Sequence, residues 1–149
     1  MNYVHSFGHK LDRASKAIRI DLMKRFQKLK LDITPDQWFV LEILHEPSKG
    51  ITQNDIVRLT NKDAPTISRI IDLLCKKQLT ERKPFRGDKR KHKIILSDEG
   101  QHLVLIAKEE INSTYQVGWT ELDENDLNHL IRITEKIVTN YDSQSELTH

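Results

Sequence analysis

Residues 52–75 read TQNDIVRLTNKDAPTISRIIDLLC, and this stretch decides the fold. Thr52 and Asp55 stand three residues apart, which is the spacing of a helix N-cap with an acidic residue in the first turn. A second helix start follows a short polar turn, because Asp63 can cap a helix whose first turn tolerates Pro65. The stretch therefore predicts two short helices joined in a helix-turn-helix.

The second of these helices has a regular apolar face. Its apolar residues recur at i, i+3, i+4, i+7 and i+8, the pattern of a helix buried on one side. They are Ile67, Ile70, Ile71, Leu74 and Cys75. The first helix is expected to turn Ile56, Val57 and Leu59 inward. Cys75 is the only cysteine, and we interpret it as a core thiol, because a reactive thiol needs exposure and a lowered pKa.

After the helix-turn-helix the apolar residues no longer recur at a helical spacing. Residues 80–85 and 91–96 predict two short strands around a Gly87-Asp88 turn, with Pro84 restricting its strand to a sheet edge. The turn and the start of the second strand, residues 86–93, read RGDKRKHK and hold five Lys or Arg. A basic two-stranded ribbon after a helix-turn-helix is typical of a winged helix.

Apolar residues at helical spacing also mark both ends of the chain. Val4, Phe7 and Leu11 begin a stripe in the N-terminal segment, and Leu130 and Ile137 lie on another near the C-terminus. Long helices of this kind must cover their apolar side, which favours dimerisation. The fold class predicted is mainly α with a small β-hairpin wing. Its parts are dimerisation helices at 1–32 and 116–149, a winged helix-turn-helix lobe at 34–96 and a connecting helix at 97–115.

Charge is distributed unevenly along the 149 residues. The formal net charge is +2, but Gly50 to Leu96 hold 12 Lys or Arg and 5 Asp or Glu, a net of +7, so the two flanks carry −5. A cationic module between acidic arms points to a polyanionic partner. With no long apolar run and no signal peptide pattern, we expect a cytoplasmic protein.

The segment from Ile51 to Gly100 resembles the MarR family of bacterial transcriptional regulators. The resemblance is carried by Leu79-x-x-Arg82, by GDKRK at 87–91 and by ILSDEG at 95–100. The terminal helices lie where that family has its dimerisation arms. The resemblance implies a homodimer that binds a palindromic operator in duplex DNA, usually as a repressor, and that a small aromatic or phenolic ligand releases.

The expected DNA contacts fall on three elements. Residues near the start of the second helix meet base edges in the major groove, and a wing cation enters a minor groove. By position, the residues expected to contact DNA are Gln53, Thr66, Ser68, Arg69, Asp88, Lys89, Arg90 and Lys91. The dimer contacts expected are Val4, Phe7, Leu11, Leu130 and Ile137.

Other kinds of function have weaker support. An enzyme would need a nucleophile–base pair, a metal triad or a phosphate-binding glycine loop, and the sequence has no such pattern. His5 and His9 stand at i, i+4 and could share a metal with Asp12 nearby, but no Cys or third His stands beside them, which favours a solvated helix face. No cofactor is expected. Trp38, Phe39 and Trp119 could line a ligand pocket or belong to the core. A winged helix that binds a protein or RNA remains the alternative function.

Overall fold

The computed structural model describes residues 3–45, 50–85 and 88–146, which form two compact units, 1–114 and 115–149. The helices described are α1 (Tyr3–Lys28), α2 (Pro35–His45), α3 (Gln53–Thr60), α4 (Ala64–Lys76), α5 (Asp98–Gly118) and α6 (Glu124–Glu146). The strands are β1 (Ile51–Thr52), β2 (Thr80–Phe85) and β3 (Asp88–Leu96). A mainly helical fold with a small antiparallel sheet is as the sequence predicts.

The core of the first unit forms where α1, α2, α4 and the sheet meet. Trp38 of α2 is fully buried, and its ring lies 5.9 Å from that of Phe26 on α1. The face predicted for α4 is buried at Ile67, Ile70, Ile71 and Leu74. Cys75 is only half-buried, with its Sγ 3.4 Å from Thr80 Oγ1, so it borders the core.

The helix starts follow the predicted capping residues. Thr52 and Asp55 form a complete capping box at α3, and the Asp63 side chain accepts a hydrogen bond from the Thr66 backbone at α4. The prediction that Leu59 points inward was wrong, because this residue is 64% exposed. The eight-residue α3 fully buries only Ile56, and Leu59 in its last turn stays on the surface.

The sheet is larger than the predicted hairpin. Its strand order is β1-β3-β2, with Ile51 opposite Ile94 and Thr80 opposite Leu96. The strand β3 begins at Asp88 rather than at 91, because the pairing continues past a register shift and sets Phe85 opposite Asp88. The predicted turn residue Gly87 lies outside the described residues.

The base of the wing is tied to the start of α5. Ser97 caps this helix by accepting a 2.9 Å hydrogen bond from the Gly100 N–H, while its own hydroxyl donates to the Gln78 carbonyl at 2.6 Å. The Ser97 N–H donates to the Leu79 carbonyl at 3.2 Å. A Cβ on Gly100 would collide with that carbonyl, so the close approach requires glycine.

The second unit contains α6, which begins at a reciprocal cap between Asp123 and Asp126. Several of its large apolar side chains are exposed in this chain, namely Leu127, Leu130, Ile131, Ile133 and Val138. Of the helices described, none has the length and apolar character needed to cross a membrane.

Candidate nucleic-acid interface

The first turn of α4 presents a compact set of hydrogen-bonding groups. Asp63 caps the helix, with its Oδ1 accepting from the Thr66 N–H and its Oδ2 from the Thr66 hydroxyl, both at 2.8 Å. Because the hydroxyl proton is directed to Asp63, the free lone pairs of Thr66 Oγ1 are available to accept a hydrogen bond from a bound group. Ser68 is half-buried and Arg69 is exposed. This end of α4 therefore offers acceptors first and a guanidinium donor about one turn later.

Two capping carboxylates in this region are stabilised in their charged form. Hydrogen bonds from the Thr66 backbone and hydroxyl hold the pKa of Asp63 below its usual value. Hydrogen bonds from the Thr52 hydroxyl and backbone do the same to the pKa of Asp55. Both carboxylates therefore stay ionised through the neutral range and complement the positive ends of their helices.

These lowered pKa values predict acid sensitivity. A carboxylate with a depressed folded-state pKa stabilises the fold above its unfolded pKa, near 3.8, and that stabilisation is lost as pH falls through the lower folded value. We expect Asp63→Asn to be less stable than the wild type at pH 6, with the difference shrinking below about pH 4. Urea unfolding from pH 3 to 7 measures this. The exposed Asp12→Asn variant is the charge control, and a difference for Asp63→Asn that does not depend on pH would contradict the prediction.

The wing strands bring further cations beside α4. The side chain of Arg82 on β2 contacts Asp72 on α4, with Nη2 2.7 Å from Oδ1. This pair joins the wing to the outer face of the second helix of the helix-turn-helix. The sequence alone does not indicate that Arg82 and Asp72 pair, because they lie on different elements and are not separated by a helical spacing.

The predicted wing contacts fall on one strand. Asp88, Lys89, Arg90 and Lys91 belong to β3, and their side chains lie outside the described part of the structure. Gln53 is the first residue of α3 and is half-buried beside the Thr52 cap. The structure thus brings the start of α3, the start of α4 and the wing strands into one unit, while the roles of these residues in binding remain predictions.

The residues considered for ligand or metal sensing belong to different elements and units of the chain. Trp38 is in the core, Phe39 is half-buried beneath the Arg19 guanidinium at 5.6 Å, and Trp119 belongs to the second unit. His9 is exposed, and the side chain of His5 is outside the described residues. Among the residues described, no cluster of His, Cys, Asp or Glu could hold a metal ion.

An open groove of about 520 Å³ runs between α1 and the start of α2. Its lining consists of Arg19, Ile20, Met23, Lys24, Gln27, Thr34, Pro35 and Asp36. Trp38, Phe39 and Trp119 are not among them. The groove instead combines the apolar side chains of Ile20 and Met23 with Lys24 and with Arg19, which is paired with Asp36.

Similarity to known proteins agrees with this architecture. Residues 31–91 match a sequence model of the MarR family. A solved transcriptional regulator is 25% identical, with a TM-score of 0.78 and coverage of 92% of this chain and 98% of its own. A mutant MarR from E. coli complexed with operator DNA is 21% identical, with a TM-score of 0.78 and coverage of 91% and 96%.

A ligand-bound structure has the same fold. CouR from Rhodococcus jostii, bound to p-coumaroyl-CoA, is 19% identical, with a TM-score of 0.79 and coverage of 88% of this chain and 90% of its own. Residues 31–91 are thus similar to the MarR family in sequence, and the chain shares the fold of solved transcriptional regulators over most of its length.

Proposed function

We propose that the protein is a transcriptional regulator that binds a palindromic operator in duplex DNA as a homodimer. The observation that carries the proposal is the exposed start of α4, with Asp63, Thr66 and Arg69, inside a module with a net charge of +7. A helix-turn-helix places this end of its second helix in the major groove. Arg69 would bind guanine, and Thr66 would accept from the amino group of adenine or cytosine. The operator complex of the E. coli relative supports this geometry.

The wing would add contacts outside the major groove. Lys89 and Arg90 are proposed to reach a minor groove, Lys91 the DNA backbone and Gln53 a phosphate, while Asp88 would orient Arg90. Ser68 of α4 would contact a base or a phosphate. These assignments rest on position along α3, α4 and β3.

A homodimer would cover apolar side chains that each unit leaves open. Phe7 is 41% exposed on α1 and Leu130 is 37% exposed on α6, while Leu11 and Ile137 are half-buried. Val4 would extend the α1 contact. Large exposed apolar faces of this kind mark protein interfaces. The dimerisation helices, the DNA-binding lobe and the connecting helix would then serve as the three functional parts of a cytoplasmic regulator.

Repression and release by a small ligand complete the proposal. The groove lined by Ile20 and Met23 would accept an aromatic or phenolic effector, and Lys24 would bind its anionic group. The complex of CouR with p-coumaroyl-CoA supports a ligand of this class.

The wing assignment can be tested by its salt dependence. We expect Lys89→Ala/Arg90→Ala to weaken duplex binding at least tenfold. We also expect the slope of log K against log salt to become shallower by about one to two, because each lost phosphate contact reduces the magnitude of the slope by about 0.9. Fluorescence anisotropy across a salt series measures both, and sedimentation of the same samples gives their oligomeric state. Arg132→Ala/Lys136→Ala removes two exposed charges from α6 and should leave the slope unchanged. Equal slopes in the wild type and the wing variant would refute the wing assignment.

A further inference from the structure

One carboxylate joins three elements of the first unit. Asp36, in the first turn of α2, accepts a hydrogen bond from Arg19 Nη2 of α1 at 2.6 Å, and the same oxygen lies 3.1 Å from Lys62 Nζ. Lys62 belongs to the turn between α3 and α4. We call these three residues the Asp36 bridge.

The Asp36 bridge is better protected from water than the ordinary surface pairs. Its side chains are 37%, 32% and 27% exposed for Arg19, Asp36 and Lys62, against 68% and 53% for the pair Lys16–Asp12 on α1. Arg19 is also held by the Phe39 ring below it. Burial raises the pKa of Asp36, but hydrogen bonds from Arg19 and Lys62 outweigh this and leave it below its usual value. A partly buried network of this kind restrains geometry more than an exposed pair does.

Lys62 connects the Asp36 bridge to the turn between the end of α3 and the start of α4. The residue before it, Asn61, has a left-handed φ of 50° that ends α3, and the residue after it, Asp63, caps α4. Any shift of Lys62 is therefore transmitted through a single peptide unit to the residue that starts α4. At the other end of the bridge, Arg19 belongs to α1, the proposed dimer arm.

We propose that Asp36 is a positioning residue for operator recognition, which ties the start of α4 to α1 and so sets the separation of the two α4 helices in the homodimer. The inference rests on the proposed function. Asp36 would not contact DNA itself. It would act by keeping Lys62 and the α3–α4 turn at a fixed distance from the helix that joins the two protomers, and by holding Lys62 away from phosphate.

The proposal is tested with duplexes that the wild type selects from a random library, each remade with one base pair inserted or deleted at its centre. One base pair moves a half-site by about 3.4 Å and rotates it about the DNA axis, so a rigid dimer discriminates against it. We expect Asp36→Asn to reduce the ratio of affinities for native and altered spacing about tenfold, which is within the range of coupled contacts. Asp12→Asn, with the same charge change on α1, should keep the wild-type ratio.

Further variants separate positioning from loss of stability. Asp36→Glu keeps a carboxylate and should restore most of the discrimination, whereas a merely destabilised lobe would lose affinity for all spacings equally. Lys62→Gln combined with Asp36→Asn should add nothing to Asp36→Asn alone if Asp36 acts through Lys62. Hydrogen exchange without DNA should be faster at residues 62–67 in Asp36→Asn.

Two failures can be told apart. If the wild type selects no duplex, the proposed function is wrong and this inference falls with it. If the wild type selects a two-fold duplex but Asp36→Asn discriminates spacing as the wild type does, only the role of Asp36 is overturned.

Discussion

Gly100→Ala is expected to destabilise the protein by about 3 kcal/mol or more, because the added methyl group enters space already filled by backbone. The ideal Cβ at this position collides with the Leu79 carbonyl oxygen and lies 2.9 Å from the Leu79 carbonyl carbon. A flexible side chain could move aside, but this carbonyl is held by the Ser97 N–H. The start of α5 would have to move away from the base of the wing.

Thermal unfolding tests this prediction directly. For a domain of this size we expect the Tm of Gly100→Ala to fall by roughly 10 °C. Gly118→Ala is a matched control, since Gly118 is also in α5 and a Cβ there meets nothing within 4 Å. A Tm for Gly100→Ala equal to that of the control would contradict the packing described at the base of the wing.

Trp38→Ala is expected to cost about 3–5 kcal/mol, the usual range for removing a large aromatic ring from a core. Trp38 is fully buried and packs against Phe26, and Phe26 in turn is only 1% exposed. The cavity would lie between α1 and α2, where neither helix can close it without moving away from the rest of the core.

The matched variant Trp38→Phe should be far milder. The indole Nε1 of Trp38 is buried and has no acceptor among the residues described, and an unpaired buried donor costs about 1–3 kcal/mol. Phenylalanine removes that donor while keeping a ring against Phe26, so the two effects oppose each other. Urea unfolding should rank Trp38→Phe close to the wild type and well above Trp38→Ala, and equal losses for both variants would refute the argument.

Local patterns in the sequence predict much of this fold. The capping residues Thr52 and Asp63 act as expected. Thr34 and Gln37, at the same spacing, exchange 3.2 Å hydrogen bonds at the start of α2. Capping and the α4 stripe depend on residues three or four apart, so they are visible without knowledge of tertiary contacts.

Features that depend on distant residues could not be predicted in this way. The strand β1 has only two residues and exists because Ile51 meets Ile94, so no alternation marks it. The Asp36 bridge joins residues from α1, α2 and the α3–α4 turn, and none of these positions signals the others. The DNA contacts proposed for Thr66, Arg69 and the wing likewise depend on a partner that the fold alone does not identify.

The short strand β1 has a practical consequence for chimeric regulators. Thr52 pairs with Lys93 on β3 and also caps α3, while Gly50 just before it has a φ of 69° and no room for a side chain, since a Cβ would lie 2.8 Å from the Ile94 carbonyl. A wing transplanted from a relative would therefore not pair correctly with β1 unless the segment equivalent to residues 50–55 were transplanted with it. The segment to exchange between such proteins is therefore the hairpin together with residues 50–55.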